Sequence, residues 1–148
     1  MRGFTLVELL VVFGIFIIVS VLSIPFVQSF QVRSDLRTAT NDLMQTLRRA
    51  QLQSVDGVAG FGWGVYLDNA GKKFVLFNGA TYAGRDAGYD LETAFPAAFS
   101  LSSDFGNEVA FAVFSGLPSV TGTTTMANNN NESKNINISA LGLIKNND

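Results

Sequence analysis

The residues with the most chemical content lie at the start of the chain. Glu8 is a lone carboxylate directly before an uncharged, largely apolar run, residues 9–32. A carboxylate in a bilayer costs on the order of 2.5–3.5 kcal/mol at a helix centre and less near an interface. Such a group indicates a function and requires a partner of opposite charge. Residues 1–3 form a short basic leader, and Gly3–Phe4 is a possible cleavage site.

The uncharged run predicts the helix that positions this carboxylate. At 1.5 Å per residue, residues 9–32 would measure about 36 Å, and the hydrocarbon layer of a bilayer is about 30 Å thick. Pro25 lacks a backbone donor and Gly14 is a weak helix former, so we expect a kink or soft point at each. The segment is therefore predicted to be long enough to cross a membrane.

A second helical segment follows, and its composition is that of a helix in water and not in a membrane. Its apolar residues recur at spacings of three and four, which predicts one buried stripe on an otherwise polar helix. The stripe consists of Val32, Leu36, Ala39, Leu43, Leu47 and Ala50. We therefore expect one helix over about residues 5–54, and we expect its second half to pack on a sheet.

The rest of the chain has the pattern of a small β-rich head. Segments 62–68 and 73–77 flank the turn sequence Asp68-Asn69-Ala70-Gly71 and predict a hairpin. Segment 78–90 contains several glycines and predicts an exposed loop. Further strands are predicted at residues 99–102, 108–114, 121–126 and 136–139.

These patterns predict an α+β fold, in which a long N-terminal helix packs on a mostly antiparallel β-sheet head. The expected organisation is a leader at 1–3, a transmembrane or filament-core helix at 4–30, an amphipathic helix at 31–55 and a β-rich head at 56–148.

The composition argues against catalysis. The chain has no histidine and no cysteine, which removes the commonest general base, the thiol nucleophile and any disulfide. Asp86, Asp90 and Glu92 lie close in sequence, but calcium requires about six to eight oxygen ligands and this spacing is too sparse. A solvated loop is the favoured interpretation. We expect no enzyme activity, no catalytic residue, no metal and no cofactor.

The charge balance disfavours nucleic acid as a partner. The formal net charge is −2 for the 148 residues, and the C-terminal segment contributes only Lys134 and Lys145 as basic residues. Binding to nucleic acid depends mainly on several Lys or Arg contacts to phosphates. Two separated lysines do not supply such a surface.

The octet Gly3-Phe4-Thr5-Leu6-Val7-Glu8-Leu9-Leu10 resembles the methylation signal of type IV pilins and type II secretion pseudopilins. In that family a membrane peptidase cuts after the glycine and methylates the new phenylalanine terminus, with which the glutamate of a neighbouring subunit pairs. The resemblance implies that Gly3 precedes the cut, Phe4 becomes the methylated end and Glu8 is the assembly carboxylate. Pro25 falls where many members carry proline. The leader is short for the family.

Five short segments, which are less specific motifs than the N-terminal octet, resemble segments of the GspH/FimT-like minor pseudopilins and pilins. They are Leu47-Arg48-Arg49-Ala50-Gln51, Gly62-Trp63-Gly64-Val65-Tyr66, Phe111-Ala112-Val113-Phe114-Ser115-Gly116, Gly122-Thr123-Thr124 and Ile136-Asn137-Ile138-Ser139-Ala140-Leu141-Gly142. One departure is Leu143, since members usually have arginine after the final glycine.

The resemblance implies a structural subunit of a type IV pilus-like filament or a type II secretion pseudopilus. Its implied partners are other pilin or pseudopilin subunits, the prepilin peptidase, an inner-membrane assembly platform and the membrane itself. The implied location is the bacterial inner membrane for the single-pass precursor, and the periplasm or the exterior for the assembled filament.

Two other interpretations of the N-terminal segment stay open at this point. It can be an ordinary secretory signal cleaved after Ser23, although Glu8 then lies within a region that should be apolar. It can also be a plain anchor with Glu8 at the membrane interface. Either would make the chain a secreted or membrane-anchored binding domain that does not polymerise.

Gly3→Leu is expected to block maturation, because the resemblance places Gly3 directly before the cut bond. The mass of the protein recovered from host membranes checks this, and the unshifted precursor mass is the expected result. A variant that still loses its first three residues would contradict the assignment of Gly3.

Overall fold

The computed structural model describes residues 3–147, without the side chains of residues 21–29. Its described part consists of helix α1 (Leu6–Val55), a short 3-10 helix (Val58–Gly60) and eight strands. The strands are β1 (Trp63–Asp68), β2 (Lys73–Asn78), β3 (Asp86–Ala94), β4 (Phe99–Ser103), β5 (Glu108–Phe111), β6 (Gly122–Asn128), β7 (Ser133–Ile138) and β8 (Ile144–Asn147). The chain forms two compact units, one ending at Ser34 and the other beginning at Asp35.

The first unit contains the N-terminal part of α1, and its apolar side chains are exposed. Every large apolar residue from Leu6 to Val19 belongs to this exposed set. A helix that is apolar all round is normally buried in a membrane or among other proteins. Within the described part of the chain, no helix has the length and apolar content required to cross a membrane.

Several predictions for the first unit stay predictions. The helix includes both Gly14 and Pro25, and the side chain of Pro25 lies outside the described residues, so the kinks at these positions are not tested. The same holds for the membrane or filament-core role of residues 4–30. In the predicted leader, Met1 and Arg2 also lie outside the described residues.

The second unit confirms the predicted stripe on α1. Leu36, Ala39, Leu43, Leu47 and Ala50 are all buried, with exposed fractions of 6 % or less. Thr40 is buried beside the stripe, and its hydroxyl donates to the Leu36 carbonyl at 2.7 Å. The remaining faces carry most of the charged residues, so this part of α1 has one side against the β-rich head and one side toward solvent.

The strands form two antiparallel four-stranded sheets. The first sheet has the order β3-β2-β1-β5 and the second has the order β4-β6-β7-β8. The predicted hairpin is confirmed as β1–β2, with Asp68 paired to Lys73 and Trp63 paired to Asn78. At its turn, the Asp68 carboxylate accepts a hydrogen bond from the Gly71 N–H at 2.8 Å.

The core is centred on β2. Phe74, Val75, Leu76 and Phe77 are consecutive and all buried. Since successive side chains of a strand point to opposite faces, both faces of β2 are covered. The second sheet has one buried face instead. On β6 and β7 the buried side chains alternate with half-buried ones.

Three strand predictions were wrong. Segment 78–90 was predicted as a loop throughout, but β3 starts at Asp86; its side chains are almost all exposed, so it lacks the apolar alternation of a half-buried strand. Strand 108–114 ends at Phe111, where hydrogen bonds between Ala112 and both Gly116 and Leu117 turn the chain. The polar strand β8 was not predicted.

Leu47→Ala is expected to lower the free energy of unfolding by about 2–5 kcal/mol, because it leaves a cavity in a closely packed core. Leu52→Ala on the same helix is the matched control, since Leu52 is 63 % exposed and its truncation should change stability by less than about 0.5 kcal/mol. Urea titration of the full chain in mild detergent, followed by the fluorescence of the buried, single Trp63, measures both. Equal effects would contradict the packing of α1 on the sheets.

Candidate assembly site

The start of α1 is a capped helix end that includes Glu8. The backbone N–H of Glu8 donates to the Thr5 hydroxyl oxygen at 3.2 Å, and the Leu9 N–H donates to the Thr5 carbonyl at 3.2 Å. Thr5 is therefore the N-cap residue and Glu8 is the third helical residue, which is the spacing of a capping box. A carboxylate in the first turn also interacts favourably with the helix dipole.

This local role of Glu8 was not predicted from the sequence. The signal was available, because a threonine followed three residues later by a glutamate, just before an apolar run, marks a helix start. The backbone of Glu8 is engaged by the cap, whereas its carboxylate has no hydrogen bond or ion pair among the described residues. The charge of Glu8 is thus available to a partner.

Three of the predicted site residues meet at this helix end. Gly3, Phe4, Thr5 and Glu8 line an open recess of about 530 Å³. Phe4 is 81 % exposed, and among the described residues other than Gly3 and its chain neighbour Phe4, no heavy atom lies within 4 Å of the position that a Cβ of Gly3 would occupy. The described residues therefore leave the Gly3–Phe4 bond exposed. Gly14 and Pro25 lie farther along α1 and do not line this recess.

In the second unit, Gln51 joins α1 to two distant turns. Its side-chain nitrogen donates to the Gly116 carbonyl at 3.0 Å and to the Gly142 carbonyl at 2.9 Å. One helical turn earlier, Arg48 donates to the Ile144 carbonyl at 3.3 Å. We call the two bonds from Gln51 to Gly116 and Gly142 the Gln51 clasp.

The clasp requires glycine at both turns. Gly116 and Gly142 have φ angles of 64° and 76°, in the left-handed region. A Cβ on Gly116 would lie 2.6 Å from Val55, and a Cβ on Gly142 would lie 2.3 Å from the donating nitrogen of Gln51. These distances are too short for any side chain, so both the backbone angles and the close approach select glycine.

Ser54 makes a second connection near the end of α1. Its hydroxyl donates to the Ala50 carbonyl at 2.9 Å and accepts the Trp63 N–H at 2.8 Å. Its own carbonyl accepts the Phe114 N–H at 2.9 Å. The partners of Ser54, Trp63 and Phe114, lie in two of the segments that resemble the GspH/FimT-like proteins, whereas Ser54 itself lies in none of them.

The acidic residues near β3 have structural partners. Asp90 pairs with Arg85 at 2.8 Å and Glu92 pairs with Lys73 at 2.7 Å. The hydrogen bonds that these carboxylates accept raise the pKa of Arg85 and of Lys73 above their ordinary values. Asp86 accepts the Gly88 N–H at 2.9 Å. Among the described residues, no three His, Cys, Asp or Glu side chains are placed to hold a metal ion.

The fold is similar to that of a solved pseudopilin. The minor pseudopilin EpsH from the Type 2 Secretion System of Vibrio cholerae matches with a TM-score of 0.59 and 12 % sequence identity. The match covers 76 % of this chain and 96 % of that structure. The chain therefore has a pilin-like α+β fold, with a long N-terminal helix and antiparallel sheets. Neither protein-family models nor curated proteins match the sequence.

Gln51→Ala is expected to destabilise the head by about 1–3 kcal/mol, because two buried glycine carbonyls lose their donor. The near-isosteric Gln51→Glu should destabilise at least as much, since an ionised carboxylate cannot donate a hydrogen bond. Gln45→Ala, at an exposed position of the same helix, is the control with little effect. Urea titration measures all three. A Gln51→Glu variant as stable as the unchanged chain would contradict the clasp.

Proposed function

We propose that this chain is a structural subunit of a type IV pilus-like filament or of a type II secretion pseudopilus. In this proposal a prepilin peptidase cuts after Gly3 and methylates the amino group of Phe4. The observation that carries it is the combination of a pseudopilin-like fold with an exposed apolar helix that begins at the Gly3–Glu8 site. The exposed surroundings of the Gly3–Phe4 bond support access by a peptidase.

The proposed assembly step is a charge neutralisation. Cleavage leaves an ammonium group on Phe4, and a helix packed among other apolar helices offers it no water. The Glu8 carboxylate of a neighbouring subunit supplies the opposite charge. Either charge alone is costly in an apolar environment, and removal of one partner leaves the other uncompensated. The pair therefore favours the arrangement in which Phe4 of one subunit meets Glu8 of the next.

In this proposal, apolar contacts between helices hold the subunits together but do little to fix the axial position of one helix relative to the next. A helix that leaves a bilayer for a bundle exchanges lipid contacts for helix contacts, so its association depends on packing and polar interactions. Apart from Glu8, the residues from Leu6 to Val19 are apolar on every side of the helix, so no one face selects the position of a neighbouring helix. The pair between Glu8 and the amino terminus is then the interaction that fixes the axial position.

The proposal also defines the partners and the location. The precursor would be a single-pass protein of the bacterial inner membrane, handled by the peptidase and by an assembly platform. The assembled filament, made of copies of this chain or of related subunits, would lie in the periplasm or outside the cell.

The deciding experiment is the mass of the N-terminal peptide of the protein from its own host, taken from membranes and from sheared surface material. A peptide that begins at Phe4 and carries one added methyl group is the expected result. Its presence in the sheared fraction would favour a surface pilus over a pseudopilus. A peptide that begins at Ile24, or an intact Met1, would overturn the proposal.

Glu8→Gln is expected to leave membrane insertion intact and to reduce the amount of protein in filaments strongly. Glutamine can still serve in the capping box, so this variant removes the charge and retains the helix cap. Thr5→Ala is the reciprocal control: it removes the cap, at about 1 kcal/mol, and retains the carboxylate, so filaments should still form. Immunoblots of sheared and membrane fractions compare the two. Normal assembly of Glu8→Gln would contradict the role of the charge.

A further inference from the structure

Two tripeptides in the C-terminal part of the chain have the pattern that accepts N-linked carbohydrate. They are Asn131-Glu132-Ser133 and Asn137-Ile138-Ser139. The pattern requires asparagine, any residue except proline, and then serine or threonine. A pattern match alone is weak evidence, because short tripeptides recur by chance. The structure separates these two, since it places them in very different surroundings.

The first tripeptide lies at the tip of a turn. It follows the end of β6 at Asn128, and β7 begins at Ser133. Asn131 and Ser133 are both exposed, and Asn131 has a φ of 59°, a left-handed conformation that asparagine tolerates well. Among the described residues, the Asn131 side chain makes no hydrogen bond. Its carboxamide is therefore accessible to an enzyme.

The turn itself is held by a different asparagine. The side-chain oxygen of Asn128, which is buried, accepts the N–H groups of Asn130 at 2.9 Å and Glu132 at 3.0 Å. Its side-chain nitrogen donates to the Glu132 carboxylate at 3.0 Å. Asn131 takes no part in these bonds, so modification of its amide would break none of them.

The second tripeptide lies within the second sheet. Asn137 pairs with Thr123 on one side and with Lys145 on the other, and its side-chain nitrogen donates to the Thr123 hydroxyl at 3.2 Å. The middle residue, Ile138, is 1 % exposed. An enzyme would have to separate β7 from both neighbouring strands to reach this asparagine, so the folded head protects it.

We propose that Asn131 is a carbohydrate attachment site and that Asn137 is not. The donor would be a sugar activated by a phosphate ester at its anomeric carbon. The Asn131 side-chain nitrogen forms a bond to that carbon and loses one proton. The bond from the anomeric carbon to the phosphate oxygen breaks, and the phosphate leaves with the bonding electrons. No oxidant or reductant is required.

Two sources of such a sugar are distinguishable. A polyprenyl-diphosphate carrier transfers a preassembled oligosaccharide outside the cytoplasm, and this source rests on the export that the proposed function includes. A nucleotide carrier transfers single sugars and does not depend on that function. The size of the carbohydrate on Asn131 separates the two sources, and the N-terminal mass tests the filament proposal independently.

The test is mass spectrometry of the full chain purified from its own host, followed by fragmentation of the peptide that contains Asn131. The expected result is a sugar mass on Asn131 and an unmodified Asn137. An unmodified Asn131 would overturn the proposal, and modification of both asparagines would overturn the argument from folded-state protection.

Four variants locate the attachment. Asn131→Asp is nearly isosteric and suits the left-handed turn, so it should fold and lose the sugar entirely. Ser133→Ala should lose it although Asn131 is retained, whereas Ser133→Thr should keep it. Asn137→Gln should leave the sugar on Asn131 unchanged. A sugar that survives in Asn131→Asp would place the attachment on Ser133 or elsewhere and would contradict the proposal. The fluorescence of Trp63 verifies that each variant is folded.

Discussion

The attachment of α1 to two turns of the head depends on the Gln51 clasp. Gly116 and Gly142 are buried, so their carbonyls require a donor from elsewhere in the chain. One amide nitrogen supplies both hydrogens, at 3.0 and 2.9 Å. Because the donor is on α1 and the acceptors are 65 and 91 residues away, the clasp ties an internal turn and a C-terminal turn of the head to its helix.

The parts of the fold that the sequence predicted are those with a strong local period. The stripe from Leu36 to Ala50 repeats every three or four residues, and the β1–β2 hairpin is marked by a turn sequence between two apolar segments. Strands β3 and β8 have no such period, because both lie at sheet edges and expose most of their side chains. Each pairs with the strand directly before it in the chain, β2 or β7, so what was missing was a periodic pattern in the side chains and not a nearby partner. The clasp could not be predicted from the local sequence either. Gln51 has no feature that distinguishes it from other polar residues of the helix, and its two acceptors are 65 and 91 residues away.

The candidate assembly site was also predicted from the sequence only in part. Glu8 could be chosen from the sequence because a lone carboxylate before an apolar run is chemically unusual, whereas Gly3 and Phe4 were chosen because their octet resembles a known processing signal. The second role of Glu8, in the helix cap, was recognised only in the structure, although the spacing of Thr5 and Glu8 already indicated it. The two roles do not compete, because the cap uses the backbone N–H of Glu8 and assembly would use its carboxylate. A residue with both roles orients its charge at a defined helix end, and this fixed position is what a pairing interaction between subunits requires.

The fold is similar to that of a solved structure at only 12 % identity, so it is compatible with very different sequences. The head requires a helix with one apolar stripe, a β2 strand covered on both faces and donors for the buried turns. Many sequences satisfy the first two requirements, because apolar side chains of similar volume replace one another at a cost below about 1.5 kcal/mol. The third is more restrictive. A residue at position 51 must reach two carbonyls at once, and Gly116 and Gly142 leave no room for a Cβ. The few polar contacts between helix and head therefore restrict the sequence more than the much larger apolar core does.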